Sequence, residues 1–219
     1  MAHFLVFLGS ARDSTPPAPA RLGLRVARTC VALLRCSGHS VGLIDPLDIE
    51  LSPIFKPHFA YGKASVPQPL DTLAGQIEQA DGYVMVSPEY NHSMSPALSH
   101  LLNHFGSSLF SFKPSAIVTY SAGQWGGARA AVAMRSFLSE LGCLPVSAMV
   151  HVPRAPDVID ANGGFLDDAD RWADYFGRTL GQLAWWSEAA IRQREVQDPN
   201  RVSPAFQRAP DQRNAPSDG

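Results

Sequence analysis

The feature that most constrains this chain is an alternation: short, continuous apolar runs are each followed by a segment whose apolar residues recur at helical spacing. His3 to Leu8 opens the series as a run suited to a strand buried on both faces. Leu22, Val26, Cys30, Leu33 and Leu34 then repeat at helical spacing, and Gly38 stands where a helix would end. Val41 to Ile44 is a second strand, closed by Asp45-Pro46, and Leu70, Leu73 and Ile77 mark a short helix. A strand at Tyr83 to Ser87 precedes a helix over 95–105, for which Ser95 supplies the N-cap and Pro96 the first position. Ser115 to Tyr120 reads as a strand, 128–141 as a helix stopped by Gly142, and Val146 to Val152 as the fifth strand. The last helix spans 168–192, with Trp172, Phe176, Leu180 and Leu183 on one face. Five strands alternating strictly with five helices predict a doubly wound α/β domain with a parallel sheet covered on both faces.

A chain of 219 residues suits one such domain, over 1–195, followed by a polar tail, 196–219, that is mobile or docked on a partner subunit. The segment from Pro46 to Pro69 lacks periodicity and is broken by prolines, which marks a long excursion. A formal net charge of -2 argues against nucleic acid or a membrane surface as partner. The apolar run Phe4 to Leu8 is too short for a secretory leader, and no run reaches transmembrane length, so a cytoplasmic protein is expected. Cys30, Cys36 and Cys143 form no CxxC pair and are expected to be buried small hydrophobes.

Doubly wound sheets bind ligands beyond the carboxyl ends of their strands, where strand order reverses, so the loops after strands one, three and four carry the function. The first, 9-GSARDSTPPAPARLG-23, offers a tight turn at Gly9, hydroxyls at Ser10 and Ser14, and charge at Arg12 and Arg21 beside the free N–H groups of a helix start. That suits a phosphate, although an ordinary polar connection reads the same way; neither GxGxxG nor GxxxxGK[ST] is present. The second, 87-SPEYNHSMSPALSHLLNHF-105, holds His92, His100 and His104 in no compact ligand grouping and without HExxH, which speaks against a metal. Glu89 is either a buried acid or a backbone-capping carboxylate. No GxSxG elbow occurs, which weakens a hydrolase reading. The third, 120-YSAGQWGGARA-130, is rich enough in glycine for backbone to approach a flat ligand that Trp125 covers, or it is a simple turn with one exposed aromatic.

Taken together, GSARD…RLGLRVA, SPEYNHSMSPAL and YSAGQWGGARA resemble the NAD(P)H-dependent FMN reductases of the flavodoxin-like superfamily, which include quinone, azo-dye and chromate reductases; the likeness runs from about residue 3 to 150. The resemblance implies a flavodoxin-like three-layer sandwich with FMN at the sheet edge and NAD(P)H as co-substrate. It also implies ping-pong hydride transfer to a small-molecule acceptor such as a quinone, free flavin, azo compound or metal oxyanion. It places Ser10 and Arg12 at the FMN phosphate and Arg21, Leu22 and Gly23 where the loop enters the helix. Pro88, Glu89, Tyr90 and Asn91 are to lie along the isoalloxazine and ribityl chain, mainly through backbone, and Ser121, Ala122, Gly123, Gly126 and Gly127 at the ring's polar edge. Tyr90, Trp125 and Arg129 are candidates for the substrate side, Arg129 also for a subunit contact. No catalytic side chain and no metal are implied, and a homodimer or homotetramer is. Ala97, Leu98, Leu101 and Leu102 serve either such an interface or the sheet. The chain departs from the pattern in the proline-rich segment 14–20 and in the bulk of Trp125. Two other readings compete: an FMN-binding electron carrier or regulatory module, and a protein that has lost its flavin.

Overall fold

The structure, a computed structural model, describes residues 1–12 and 21–202; the expectations for Ser14, for the segment 14–20 and for the tail from 203 onward lie outside the described residues. In chain order the elements are β1 (His3–Leu8), α1 (Leu22–Cys36), β2 (Ser40–Ile44), α2 (Gln68–Gln79), β3 (Gly82–Pro88), α3 (Pro96–Asn103), α4 (Ser107–Phe110), β4 (Pro114–Tyr120), α5 (Ala128–Glu140), β5 (Leu144–Val152), α6 (Ala155–Val158) and α7 (Ala169–Val196). The five strands form one parallel sheet in the order β2-β1-β3-β4-β5. The chain winds outward from β1 to β2, then returns across β1 to build β3, β4 and β5. Its direction therefore reverses between β1 and β3, and the carboxyl ends of those two strands open the crevice.

Alternation along each strand divides the core. β1 sends Phe4, Val6 and Leu8 to the face covered by α1 and α7, and Leu5 and Phe7 to the face covered by α2, α3 and α5. β3 does the same with Val84 and Val86 on one side and Tyr83 and Met85 on the other. Leu98, Leu101 and Leu102 are fully buried against the sheet, so packing takes the apolar side of α3. Beneath them, the buried Lys113 ammonium donates to the carbonyls of Ile77 (2.8 Å), Glu78 (2.7 Å) and Leu109 (3.1 Å). It caps the carboxyl end of α2 and ties it to α4.

The elements differ from the sequence expectation in their boundaries. The helix expected over 95–105 stops at Asn103, and α4 begins afresh after Gly106, whose ψ of 154° interrupts helical geometry. The last helix runs past 192 to Val196, anchored by a 2.6 Å ion pair between Arg194 and Asp81. That partner is 113 residues away, so local pattern carries no sign of it. The excursion from Pro46 contains two short 3-10 turns, Pro46–Asp48 and His58–Ala60, and its end already belongs to α2. It is pinned to the end of α3, where His104 gives its carbonyl to the His58 N–H (2.7 Å) and its Nδ1 contacts the Lys56 carbonyl (3.2 Å). Cys30 and Cys143 are buried as expected, but Cys36, the last residue of α1, faces solvent. Among the described residues no helix is long and apolar enough to cross a membrane.

Candidate active site

Three loops gather at the carboxyl ends of β1, β3 and β4. The first leaves β1 with the Gly9 N–H donating to the Val86 carbonyl (2.7 Å), which holds it to β3. Ser10 is buried and Arg12 exposed. The Ser10 hydroxyl accepts the Arg12 N–H at 3.4 Å. Arg21 stands at the N-cap of α1 without capping it through its side chain, and no acid occupies the first turn. The positive end of that helix is therefore uncompensated by its own turn, which is the condition for an anion site. The Arg21 guanidinium is committed inward: it grips the Asp45 carboxylate with both terminal nitrogens, one at 2.9 Å, and also donates to the Ser10 carbonyl. It sets the loop's shape, while Arg12 is the cation of this loop that faces outward. Leu22 packs its side chain on the core, so only its backbone faces the loop.

The second loop is fixed from below. The Ser87 hydroxyl donates to the Pro88 carbonyl (2.8 Å) and accepts the Ser95 N–H (2.9 Å), while Ser95 caps α3 through the Ala97 N–H (3.1 Å). Tyr90 and Ser93 exchange both backbone hydrogen bonds (3.0 and 2.9 Å), closing a tight turn. Asn91 and His92 occupy its two central positions with φ of 51° and 62°. Two successive left-handed residues are what a type I′ turn demands, and Asn tolerates that geometry better than most residues.

The third loop is held by Ser121, whose hydroxyl donates to the Gly123 carbonyl (2.8 Å) and accepts the Gly126 N–H (2.9 Å). Gly127 is the N-cap of α5 with φ of 78°, and a Cβ there would stand 2.8 Å from the Thr119 side chain, so only glycine lets the loop lie so close to β4. Ala122, Gly123 and Trp125 are exposed, and Gly126 and Gly127 are buried.

Glu89 joins the second loop to the third. Its carboxylate accepts the N–H groups of Arg129 (3.2 Å) and Ala130 (3.4 Å), the second and third residues of α5, and pairs with the Arg129 guanidinium (3.1 Å). Gly127 has no side chain with which to cap α5, and Glu89 supplies that service from another loop. Partial burial pushes the Glu89 carboxyl up, but the bonds from Arg129 and Ala130 outweigh it and leave the group below its ordinary range. The Arg129 guanidinium in turn lies 5.3 Å from the Trp125 ring, a cation–π contact that steadies an otherwise exposed indole. The capping reading of Glu89 is therefore the one the structure bears out, and the acid is not free.

The histidines serve elsewhere. His100 and His104 stack edge to face at 4.9 Å, Phe55 packs on His104 at 4.8 Å, and His92 sits in the tight turn. Among the described residues no group of His, Cys, Asp or Glu is placed to hold a metal. Two site residues escaped the sequence reading. Asp45 directly follows β2, the strand beside β1, and only the sheet order reveals that it faces the first loop. Tyr120 ends β4 on the α1 face, in step with Ala116 and Val118, and the alternation of that strand pointed to it.

The arrangement has a helix start with no side-chain cap among the described residues, beside a buried serine hydroxyl and an outward arginine. Next to it stand two loops in which Ser87, Glu89, Ser95 and Ser121 are already engaged, so that backbone makes up much of the ligand surface. These residues fit a ligand with an anionic end and a flat body, which is the form of FMN. The comparisons agree. The model of the NADPH-dependent FMN reductase family matches residues 2–157. An NAD(P)H-dependent FMN reductase of Pseudomonas aeruginosa is 33% identical over 158 residues, spanning 67% of this chain and 83% of the relative. A quinone reductase of Escherichia coli is 40% identical over 129 residues, spanning 53% of this chain and 68% of the relative. The structure of FerB, a flavoenzyme NAD(P)H:(acceptor) oxidoreductase of Paracoccus denitrificans, superposes with a TM-score of 0.67 at 19% identity, over 86% of this chain and 98% of FerB, a likeness of fold. The chain belongs to the NADPH-dependent FMN reductase family, oxidoreductases that use FMN and NAD(P)H.

Proposed function

We propose that this enzyme seats FMN across the carboxyl ends of β1, β3 and β4 and reduces quinones with NAD(P)H, the two substrates taking turns at one opening. The observation that carries this reading is the convergence, at the β1–β3 reversal, of an acid-free helix start with two loops that present backbone. When bound, FMN supplies the redox chemistry, accepting a hydride and passing two electrons on. The chain's own residues bind and orient. Ser10, Arg12 and the first N–H groups of α1 hold the phosphate. The turn from Pro88 to Asn91 lines one long edge of the flavin, and the backbone of Ser121 to Gly127 lines its polar edge, where N–H dipoles favour negative charge. Trp125 (61% exposed) and Tyr90 offer aromatic faces to a flat acceptor. A 2-hydroxy-1,4-benzoquinone reductase of a Burkholderia species, 28% identical over 157 residues, and the Escherichia coli quinone reductase support the choice of acceptor.

The test is a spectrum of the purified protein under anaerobic conditions. Flavin absorption that bleaches with NADPH and returns on adding one equivalent of a benzoquinone is the expected outcome. Absorption restored rapidly by an azo compound or free flavin but not by the quinone would overturn the choice of acceptor. No bound flavin after incubation with FMN would overturn the seat itself.

A further inference from the structure

The guanidinium that the sequence offers to the substrate side, Arg129, is taken by Glu89 and Trp125, and Arg21 is gripped by Asp45. Another arginine stands at the same edge of the sheet, and no motif marks it. β4 and β5 run together to their carboxyl ends, with Tyr120 beside Val152, so the connection that leaves β5 meets the third loop. Three backbone bonds join them. The Ser121 N–H donates to the Val152 carbonyl (3.1 Å), the Arg154 N–H to the Gly123 carbonyl (2.8 Å) and the Ala155 N–H to the Ser121 carbonyl (3.0 Å). A Cβ at Gly126 would stand 3.0 Å from the Pro153 nitrogen, so the loop lies directly on this connection.

Arg154 holds this place in a left-handed conformation, with φ of 45° and ψ of 43°. A Cβ makes that region costly, and glycine would occupy it without strain. Strain kept beneath a long charged side chain points to a use for that side chain. The residue is exposed and, among the described residues, its guanidinium forms no ion pair, hydrogen bond or ring contact. The phosphate of FMN is not its partner. Arg12 follows β1 and Arg154 follows β5, three strands along in the order β1-β3-β4-β5, which sets the two loops about 14 Å apart. One phosphate cannot meet both. The second nucleotide that the family uses, NAD(P)H, brings phosphates of its own.

We propose that Arg154 is a binding residue for the nicotinamide dinucleotide, its guanidinium taking a phosphate group of NAD(P)H. A planar fork of N–H donors suits a phosphate, and backbone tied to the third loop holds this fork at a fixed place beside the flavin's polar edge. The inference rests on the seat assigned to FMN above, and it places the anionic part of the dinucleotide on the β5 side of that seat, away from the FMN phosphate. A quinone carries no phosphate and has no need of Arg154, so this residue separates the two half-reactions.

Arg154→Gly removes the guanidinium and relieves the backbone, so the variant should melt at a temperature no lower than wild type. In the flavin-loaded enzyme it should lower kcat/KM for NADPH roughly 10-fold, the lower end for a charge-assisted hydrogen bond because water and salt screen an exposed one. Its kcat/KM for a benzoquinone should be unchanged. Calorimetric titration of the same protein with NADP+, which involves no turnover, should show a comparable loss of affinity, and Arg154→Lys, which keeps the charge, should recover part of it. A loss confined to NADPH puts the contact at the 2′-phosphate, and an equal loss with NADH puts it at the pyrophosphate. Unchanged values for both nucleotides, equal losses in both half-reactions, or a loss for the quinone alone would overturn the role given to Arg154. Wild-type protein that takes up no FMN, or whose flavin NADPH does not bleach, would instead overturn the seat, and the proposal with it.

Discussion

Replacing Glu89 with alanine isolates the joint between the second and third loops. The carboxylate does two things in the folded chain: it accepts two N–H groups in the first turn of α5, and it pairs with Arg129. Loss of an N-terminal cap costs about 1 kcal/mol. The ion pair adds about 0.5 kcal/mol, because the Arg129 side chain is 44% exposed and water screens the attraction. Together these predict a loss of about 1.5 kcal/mol, or roughly 3–6 °C in Tm for a chain of this size. Glu89→Gln keeps an acceptor oxygen and should lose less than half as much. The pH dependence follows from the depressed carboxyl: its contribution is complete above the unfolded value near 4.3 and is lost as pH falls through the folded value. In urea titrations the gap between wild type and Glu89→Ala should therefore be constant from about pH 7 to about pH 5 and close as pH falls through the lowered folded value. Flavin retention should fall in the same variant, since the two loops it ties both contact the ring in the proposed seat. A Tm within 1 °C of wild type at neutral pH, or a gap that widens on acidification, would refute the capping argument.

Arg12→Ala should release FMN more readily while leaving urea stability unchanged, because Arg12 is exposed and, among the described residues, hydrogen-bonds through its backbone; a charge-assisted phosphate contact is worth about 1.5–3 kcal/mol, read as the shift in FMN dissociation constant. Asp45→Ala should instead destabilise the fold, by about 3 kcal/mol in urea, because it leaves the Arg21 guanidinium, 16% exposed, without the carboxylate it grips. For His104, burial lowers the imidazole pKa, and its unpartnered buried Nε2 would gain a proton with no acceptor among the described residues. Its stabilising effect is present above about pH 6.5 and lost as pH falls through the folded value, so wild type should lose stability relative to His104→Phe as pH falls below about 6.5.

How much of this was readable beforehand depended on whether the relevant physics was local. Strands buried on both faces are continuous apolar runs, and all five were found with boundaries off by two residues or fewer. Helix ends were less readable, because contacts distant in sequence set them: the Arg194–Asp81 pair carries α7 to Val196, and nothing in the last turn announces it. The same holds at the site. Glycine and serine clusters at strand ends marked the three loops, since few other residues allow such turns. Asp45 was invisible because its neighbour across the sheet is known only once β2 is seen to flank β1.

The roles of the individual side chains were the least readable part, and the reason bears on the chemistry. A motif such as SPEYN or SAGQWGG tempts one to assign each polar side chain to the ligand. In the folded chain Ser87, Glu89, Ser95, Ser121 and Arg21 are all engaged in holding loops to one another or to the sheet. Those bonds are made before any ligand arrives, so the backbone groups they orient need little ordering when one does. A site built this way recognises a flat, hydrogen-bonding ring by main chain, which substitution of an exposed side chain cannot remove. The side chains that matter most are then the half-buried ones that fix the loops, and replacing Glu89 or Asp45 should disturb flavin retention more than replacing Tyr90, although neither side chain faces the ligand in the proposed seat.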